Sequence, residues 1–202
     1  MESDLVESLE KGNTALSAYF DYYQNSWRTE TINEFRVQNV MFKLPEGEVK
    51  LTGSLDKIEL IDEVNPTHNF GLHSDASLIS SKVMCGVNVV DYKTGRPKTR
   101  NEVEGKTQSA TGNYKRQLVF YKLLLDSHPT AKLKMTSGEI DFVEPDQKGN
   151  FRKEKFLISD EEVQNLRETV TDISDQVLNL KFQGKTCEDR DCEFCKLREK
   201  ML

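Results

Sequence analysis

Alternating hydrophobic and polar positions along the chain predict five β-strands. Segments 31–44 and 49–61 alternate apolar and polar side chains with a period of two, and the polar turn PEGE between them predicts a hairpin. Segment 83–93 is almost continuously apolar, as in a strand that is buried on both faces, which places it in the centre of a sheet. Segments 133–144 and 150–159 predict a second hairpin around the turn PDQKGN.

Apolar residues recur at helical spacing in two segments outside these strands. Residues 5–25 predict an N-terminal helix that is interrupted at Gly12-Asn13. Residues 113–126 predict a second helix, with Asn113 as its N-cap and a stop at the sequence SHP.

A third helix is predicted after Ser159 and Glu162, which form an S-x-x-E capping box. Its apolar positions are spaced by three and four residues, and we expect them to pack against the core. These positions are Val163, Leu166, Val170, Ile173, Val177 and Leu180. Segments 63–82 and 94–112 are predicted loops. This order of elements predicts an α/β fold with a mixed central sheet flanked by helices.

Length and composition describe one domain that does not enter a membrane. The 202 residues are enough for a substantial core, and the chain contains no apolar run of about 18 residues. The N-terminus has neither the basic nor the apolar region of a signal peptide, so a cytoplasmic location is expected. The predicted domain comprises an N-terminal helical segment, a core, a hairpin strand with a long helix, and a cysteine-rich tail (1–28, 29–144, 145–183 and 184–202).

An acid and a lysine end the central predicted strand, where an unpaired buried charge would be costly. Because side chains alternate along a strand, Asp91 and Lys93 project from one face. A carboxylate there can hold a divalent cation, and the ammonium can orient a water and offset charge that builds on a phosphate. A hard cation needs further oxygen ligands, and Asp56 in a neighbouring apolar strand supplies one. A structural ion pair is the alternative interpretation.

The sequences GSLDKIEL, VVDYKTG and RQLVFY together resemble the PD-(D/E)XK nuclease superfamily. The resemblance is strongest to the RecB-like nuclease domain at the C-terminus of some UvrD-like (superfamily 1) DNA helicases. It implies that Asp56 and Asp91 bind Mg²⁺ or Mn²⁺, with the main-chain carbonyl of Tyr92 as a further ligand. It also implies that Lys93 is catalytic.

The same resemblance assigns a supporting role to two residues of the following helix. Gln117 and Tyr121 match the Q-x-x-x-Y signature, and their spacing of four places both on one helix face. The implied protein is a metal-dependent deoxyribonuclease joined to helicase domains and acting in DNA repair or recombination. The alternative is a nuclease fold that is catalytically weak or inactive and retained for DNA binding or protein docking.

A locally basic stretch follows the candidate site. Residues 91–116 contain seven cations and three acids, a local charge of +4 in a chain whose formal net charge is −6. Such a stretch is suited to contacting DNA phosphates, which position nucleic acid without reading its sequence, so non-specific cleavage is expected. The predicted DNA-binding residues are Arg96, Lys98, Arg100, Lys106, Lys115 and Arg116.

The chain departs from the RecB-like pattern in its histidines. These nucleases commonly carry a metal-binding histidine on a helix before the first strand, and no histidine precedes His68 here. We expect that the chain is a C-terminal fragment that begins downstream of that histidine. His68 and His73, in the predicted loop 63–82, are weaker candidates for ligands.

The cysteines near the end of the chain form a second candidate metal site. Cys187, Cys192 and Cys195 follow the pattern C-x4-C-x2-C, whereas related iron–sulfur nucleases usually place the C-x2-C first. Three thiolates can hold zinc or part of an iron–sulfur cluster. Cys85 is a candidate fourth ligand, but its position within an apolar strand favours a small buried residue. A zinc-knuckle interaction module is the function that this cluster alone would indicate.

Overall fold

Five strands form one sheet in which the order of the strands follows the order of the chain. The strands are β1 (Thr31–Leu44), β2 (Gly47–Leu60), β3 (Cys85–Lys93), β4 (Leu133–Phe142) and β5 (Arg152–Phe156). Neighbouring strands are antiparallel, except that β3 and β4 run parallel. The predicted mixed sheet and both predicted hairpins are therefore confirmed.

The structure, a computed structural model, describes residues 2–45, 47–61, 85–129, 132–181, 187 and 191–201. Its helices are α1 (Glu2–Tyr23), α2 (Arg100–Val103), α3 (Asn113–Asp126), α4 (Asp160–Leu178) and α5 (Glu193–Met201). The chain divides into two compact units, Met1–Arg167 and Glu168–Leu202. The first unit contains the whole sheet. The predicted loop 63–82, with His68 and His73, lies outside the described residues.

Two glycines allow α3 to lie directly against the sheet. A Cβ atom on Gly53 in β2 would come within 2.5 Å of the Leu124 side chain, and one on Gly138 in β4 within 3.1 Å of the Leu118 side chain. Leu118 and Leu124 are both fully buried. Because neither strand carries a side chain at these contacts, the helix approaches close enough to reach the end of β3 with its polar residues.

The opposite face of the sheet carries a polar cluster, formed by Asp141 and Lys153 beneath Tyr19 of α1. Asp141 of β4 is the register partner of both Tyr92 and Lys153, so these side chains share a face. Lys153 Nζ lies 2.7 Å from Asp141 Oδ2, and the Tyr19 hydroxyl donates a hydrogen bond to the same oxygen. Asp91, whose register partner is Ile140, points to the other face. Helices α1 and α3 therefore cover opposite faces of the sheet at the end of β3.

Local interactions explain three differences from the predicted helices. Helix α1 continues through Gly12, because a single glycine costs a helix only about 1 kcal/mol relative to alanine. The N-cap of α3 is Gly112 in the left-handed region, and Asn113 is the first helical residue. The predicted loop 94–112 contains the short helix α2, which Thr99 caps through a capping box with Glu102.

The apolar stripe of α4 is buried over only part of its length. The capping box of Ser159 and Glu162 is present, and Val163 is buried as predicted. Ile173 and Val177 are 54% and 55% exposed, so the prediction that the whole stripe packs against the core is wrong. The boundary between the two compact units falls within α4, and these residues belong to the second unit, which does not contain the sheet.

Candidate active site at the end of β3

The end of β3 brings Asp56 and Asp91 together where the pairing of β2 with β3 stops. The last register pair is Lys57 with Val90, so the next residues along the two strands are Asp56 and Asp91. Beyond that pair the Tyr92 amide donates a 2.9 Å hydrogen bond to Asp56 Oδ2. The Asp56 carboxylate therefore takes the place of a main-chain carbonyl acceptor, and the pairing of β2 with β3 ends at the two acids. The structure thus brings together the two predicted acidic ligands.

Lys93 lies on the same face as Asp91, as the alternation of side chains predicts. Its Nζ is 2.5 Å from Asp91 Oδ2, and it also donates a 2.8 Å hydrogen bond to Gln117 Oε1 of α3. The Lys93 side chain is 18% exposed, whereas Asp91 is 1% exposed. The ammonium therefore stands between a buried carboxylate and solvent, where a phosphate can reach it.

Gln117 and Tyr121 complete a closed ring of contacts with this pair. Gln117 Nε2 donates to the Tyr121 hydroxyl at 2.6 Å, and that hydroxyl donates to Asp91 Oδ1 at 2.9 Å. The i, i+4 spacing puts both residues on the face of α3 that meets the sheet. Each side chain in the ring has a partner on both sides, so the positions of the carboxylate and the ammonium are set together.

Burial dominates the electrostatics of Asp91. It raises the pKa of Asp91 above its usual value, while Lys93 and Tyr121 stabilise the ionised form and oppose the shift. Burial and the neighbouring carboxylate of Asp91 raise the pKa of Tyr121, so its hydroxyl stays a donor. Asp91 Oδ2 accepts no well-aligned hydrogen bond from any described group, although Lys93 Nζ is in contact with it.

The donor set of this edge fits a hard divalent cation. Asp56 and Asp91 supply carboxylate oxygens, one of them buried and short of hydrogen bonds, which are the ligands that Mg²⁺ and Mn²⁺ prefer. The main-chain carbonyl of Tyr92 stays a predicted third ligand. Since Asp56 is half-buried, water and substrate oxygens could complete the coordination from its side.

Most of the predicted DNA-binding cations contact acids of their own segment. Arg96 pairs with Glu102 at 2.6 Å and Lys106 with Glu104 at 2.6 Å. Of the others, Lys115 pairs with Glu162, Arg100 donates to the Lys155 carbonyl and lies near Glu104, and Arg116 donates to Asn113. These pairs reduce the local positive charge, and the role of the six cations in DNA binding stays a prediction.

Lys98 is the cation of this segment that the fold places beside the active-site lysine. Its Nζ lies 4.3 Å from the ring centroid of Tyr114, and Lys93 Nζ lies 5.1 Å from the same centroid. Within the described part of the chain, Lys98 makes no ion pair. In the sequence, only the place of Tyr114 one residue after Asn113, at the start of a predicted helix, indicates this residue.

Two other supporting groups, Glu144 and Asp141, lie outside the predicted site residues. Glu144 accepts a 2.7 Å hydrogen bond from the Gly95 amide and pairs with Lys11 at 3.0 Å, which ties α1 to the loop after β3. Asp141 is completely buried, and its Oδ1 accepts no hydrogen bond from the described residues. An acid at an alternate position of the apolar strand IDFV was the available signal for Asp141.

The second unit holds the three-cysteine cluster, formed by Cys187, Cys192 and Cys195. The three sulfur atoms lie within 4.8 Å of one another, and those of Cys187 and Cys195 are 3.5 Å apart. Hydrogen bonds lower the pKa of Cys192, and the one from the Cys195 amide has the largest effect. A lower pKa favours the thiolate form, which binds metals. Three close thiols fit a zinc ion with one further ligand. In the first unit, Cys85 begins β3 and is 3% exposed, in keeping with a small buried residue.

Comparison with known proteins identifies a family. A family model of the PD-(D/E)XK nuclease superfamily matches residues 78–199, which include Asp91, Lys93, Gln117 and Tyr121 but not Asp56. No curated protein matches the chain. A crystal structure of SSO0001 is similar at a TM-score of 0.47 and 13% identity, covering 95% of this chain and 69% of that one. Among the described helices, none is both long and apolar enough to cross a membrane.

Proposed function

Because the chain belongs to the PD-(D/E)XK nuclease superfamily, we propose that it is a metal-dependent deoxyribonuclease. The observation that carries this proposal is the closed ring of Asp91, Lys93, Gln117 and Tyr121 beside Asp56. A structural ion pair needs only the acid and the lysine. Here the Gln117 amide and the Tyr121 hydroxyl also hold the two partners in position at the end of β3, which favours a reaction centre.

Asp56 and Asp91 are the residues that would hold the cation, and Lys93 acts on the phosphate. A Mg²⁺ or Mn²⁺ ion bound there would supply Lewis-acid polarisation and activation of the attacking water. Lys93 donates a hydrogen bond to a non-bridging phosphate oxygen and offsets the charge that builds there. Because Gln117 Oε1 also accepts a hydrogen bond from Lys93, the ammonium has a second partner besides Asp91. The water oxygen forms the new bond to phosphorus, the bond to the leaving oxygen breaks, and a proton passes to that oxygen.

The proposed substrate is DNA, cleaved without strong sequence specificity. Lys98, close to Lys93 and free of an acid partner among the described residues, is the first candidate for a flanking phosphate contact. The RecB-like resemblance of the motifs supports a parent polypeptide with helicase domains, acting in DNA repair or recombination in the cytoplasm. Zinc or an iron–sulfur cluster at Cys187, Cys192 and Cys195 is part of the same proposal.

Cleavage of end-labelled linear DNA tests the proposal. Single- and double-stranded substrates are incubated with Mg²⁺ or Mn²⁺ and the purified chain, beside Asp91→Ala, Asp91→Asn and the control Asp126→Asn, an exposed acid of α3. We expect cleavage by the unmodified chain and the control, and none by either Asp91 variant, with all circular dichroism spectra alike.

Two results would contradict the mechanism. Normal cleavage by Asp91→Asn would show that this carboxylate is not a ligand of the catalytic ion. Metal-independent DNA binding without cleavage by any form would favour a nuclease fold retained for binding. A chain extended with an upstream helix that carries a histidine would then show whether the metal site lacks only that ligand.

A further inference from the structure

An aromatic pocket lies beside the active site, on the face of the sheet that α1 covers. It has a volume of about 770 Å³ and opens to solvent. Its lining comes from α1, from Trp27 after that helix, and from the ends of β3 and β4. Four of the nine lining residues are aromatic, namely Tyr19, Phe20, Trp27 and Tyr92.

Two of the four aromatic side chains are exposed, and Tyr19 is buried and held by a hydrogen bond. Phe20 and Trp27 meet edge to face, with centroids 5.3 Å apart, and they are 48% and 38% exposed. Tyr19 is 6% exposed and meets Tyr92 edge to face at 6.3 Å. The hydrogen bond from the Tyr19 hydroxyl to buried Asp141 fixes that ring. The pocket therefore has a rigid base and two rings that a ligand can cover.

The backbone of β3 connects this pocket to the catalytic residues. Tyr92 lies between Asp91 and Lys93, and its side chain points to the opposite face. Thr94, the next residue after Lys93, also lines the pocket. A strand advances about 3.3 Å per residue, so the backbone of Tyr92 and that of Thr94 are each one residue from Lys93, although their side chains face the other side of the sheet. A DNA strand with a phosphate at Lys93 would have to pass around the end of β3 to place a base in the pocket.

We propose that this pocket binds one unpaired base of the DNA strand whose phosphate lies at Asp91 and Lys93. The inference rests on the proposed nuclease function and assigns to it a preference for unpaired substrate. A base in a duplex cannot enter unless it leaves its stack, whereas a base of a single strand pays a smaller cost. The carboxylate of Asp21 in the lining disfavours a phosphate there, so the base and not the backbone occupies the pocket.

An apolar protein segment is the competing occupant, because α1 carries further exposed apolar residues such as Leu5 and Leu9. The position of the pocket favours the base. Of its lining residues, Tyr92 lies between Asp91 and Lys93, and Thr94 follows Lys93 directly. Lys93 and Lys98 supply positive charge for the adjoining phosphates.

Trp27 is the only tryptophan of the chain, so its fluorescence reports directly on the pocket. The non-cleaving Asp91→Asn chain is titrated with a thymidine oligonucleotide, with the same oligonucleotide carrying abasic sites, and with a blunt duplex. We expect the intact single strand to quench the emission and to bind about tenfold more tightly than the abasic strand, since stacking on an aromatic ring contributes to affinity at each base. The duplex should quench little.

Variants in the same background separate the pocket from a general effect on the fold. Phe20→Leu should weaken single-strand binding about tenfold by fluorescence anisotropy of a labelled oligonucleotide, whereas Trp27→Phe should retain it. Tyr22→Leu is the matched control, because Tyr22 is an exposed aromatic residue of α1 that does not line the pocket. The melting temperatures of all variants are compared with that of the parent chain.

The outcomes for the pocket and for the nuclease are distinguishable. Equal affinity and equal quenching for intact and abasic strands would overturn the pocket as a base site, even if the unmodified chain cleaves DNA, and would leave it to a protein segment. Unchanged binding by a folded Phe20→Leu chain would also overturn it. Quenching that requires bases, together with no cleavage by either the unmodified chain or the chain extended with the histidine-bearing helix, would support the pocket and refute the nuclease proposal.

Discussion

Tyr121→Phe is the substitution that tests the closed ring of contacts with the least disturbance of packing. Phenylalanine keeps the ring of a residue that is 4% exposed and removes only its hydroxyl. Asp91 Oδ1 then loses its donor, and Gln117 Nε2 loses its acceptor. Gln117 is only half-buried and can bind water instead, so the cost falls on Asp91, which is 1% exposed.

The size of the effect follows from the charge and burial of the acceptor. A hydrogen bond to a charged group contributes about 1.5–3 kcal/mol, and one between neutral groups about 1 kcal/mol. Lys93 continues to neutralise the carboxylate. We therefore expect the free energy of unfolding to fall by about 2 kcal/mol at about pH 7, and by about 1 kcal/mol once Asp91 is protonated.

The pH dependence has a definite sign. The pKa of Asp91 is raised in the folded state, so its ionisation costs stability as the pH rises from the unfolded pKa of 3.8 through the folded pKa. The Tyr121 hydrogen bond lowers the folded pKa, and its removal raises that pKa further. The difference in stability between the two chains should therefore be largest at neutral pH and should shrink as the pH falls towards 3.8.

Urea unfolding followed by circular dichroism measures the difference at several pH values. Tyr22→Phe is the control, since it removes a hydroxyl from a residue that is 63% exposed. In cleavage assays the acid limb of the pH profile should move to higher pH in Tyr121→Phe, because Asp91 binds the cation only when ionised. A loss below about 0.5 kcal/mol, or one independent of pH, would refute this account of Asp91.

Three further predictions concern the packing, the charge and the cysteines. Gly53→Ala should lower the free energy of unfolding by about 1–3 kcal/mol in urea, because its Cβ would lie 2.5 Å from Leu124. Gly12→Ala, whose Cβ would meet nothing within 4 Å, should raise that free energy by up to about 1 kcal/mol. Equal effects of the two substitutions would contradict the close approach of α3 to the sheet. Lys98→Gln should reduce the slope of the logarithm of the DNA-binding constant against the logarithm of salt concentration by about one phosphate contact. Exposed Lys148→Gln is the control. An unchanged slope for Lys98→Gln would show that Lys98 does not contact DNA. Co²⁺ added to the purified chain should give the charge-transfer absorption of cobalt–thiolate bonds at the three-cysteine cluster. The absorption should be weaker in Cys192→Ser and unchanged in Cys85→Ala. Absence of this absorption would show that the cluster is not a metal site.

The part of the site that the sequence predicts is the part encoded by local geometry. Asp91 and Lys93 share a face because side chains alternate along a strand, and Gln117 and Tyr121 share a face because they are one helical turn apart. That the strand motif and the helix motif meet in one site was expected only from the resemblance to the nuclease superfamily. In the structure, hydrogen bonds from Lys93 to Gln117 and from Tyr121 to Asp91 join the two motifs.

Contacts between residues that are distant in sequence could not be predicted from these local patterns. The basic stretch after β3 has a local charge of +4, but Glu154 and Glu162, distant in sequence, also contact its cations. The apolar stripe of α4 has helical spacing throughout, but only the tertiary arrangement separates buried Val163 from exposed Ile173. A one-dimensional pattern shows which face of a helix is apolar and does not show where its partner surface ends.

The sequence by itself determined most of the helices and strands, the mixed sheet and which candidate site residues share a face, because hydrophobic periodicity, turn residues and capping boxes act over a few residues. Only the tertiary structure decided how these parts combine. It closed the ring around Asp91, paired Tyr19 with Asp141 over a distance of 122 residues, and placed Trp27 beside Tyr92 in the aromatic pocket. Such contacts depend on the close approach of α1 and α3 to opposite faces of one sheet, and packing of that kind leaves no periodic signal in the chain.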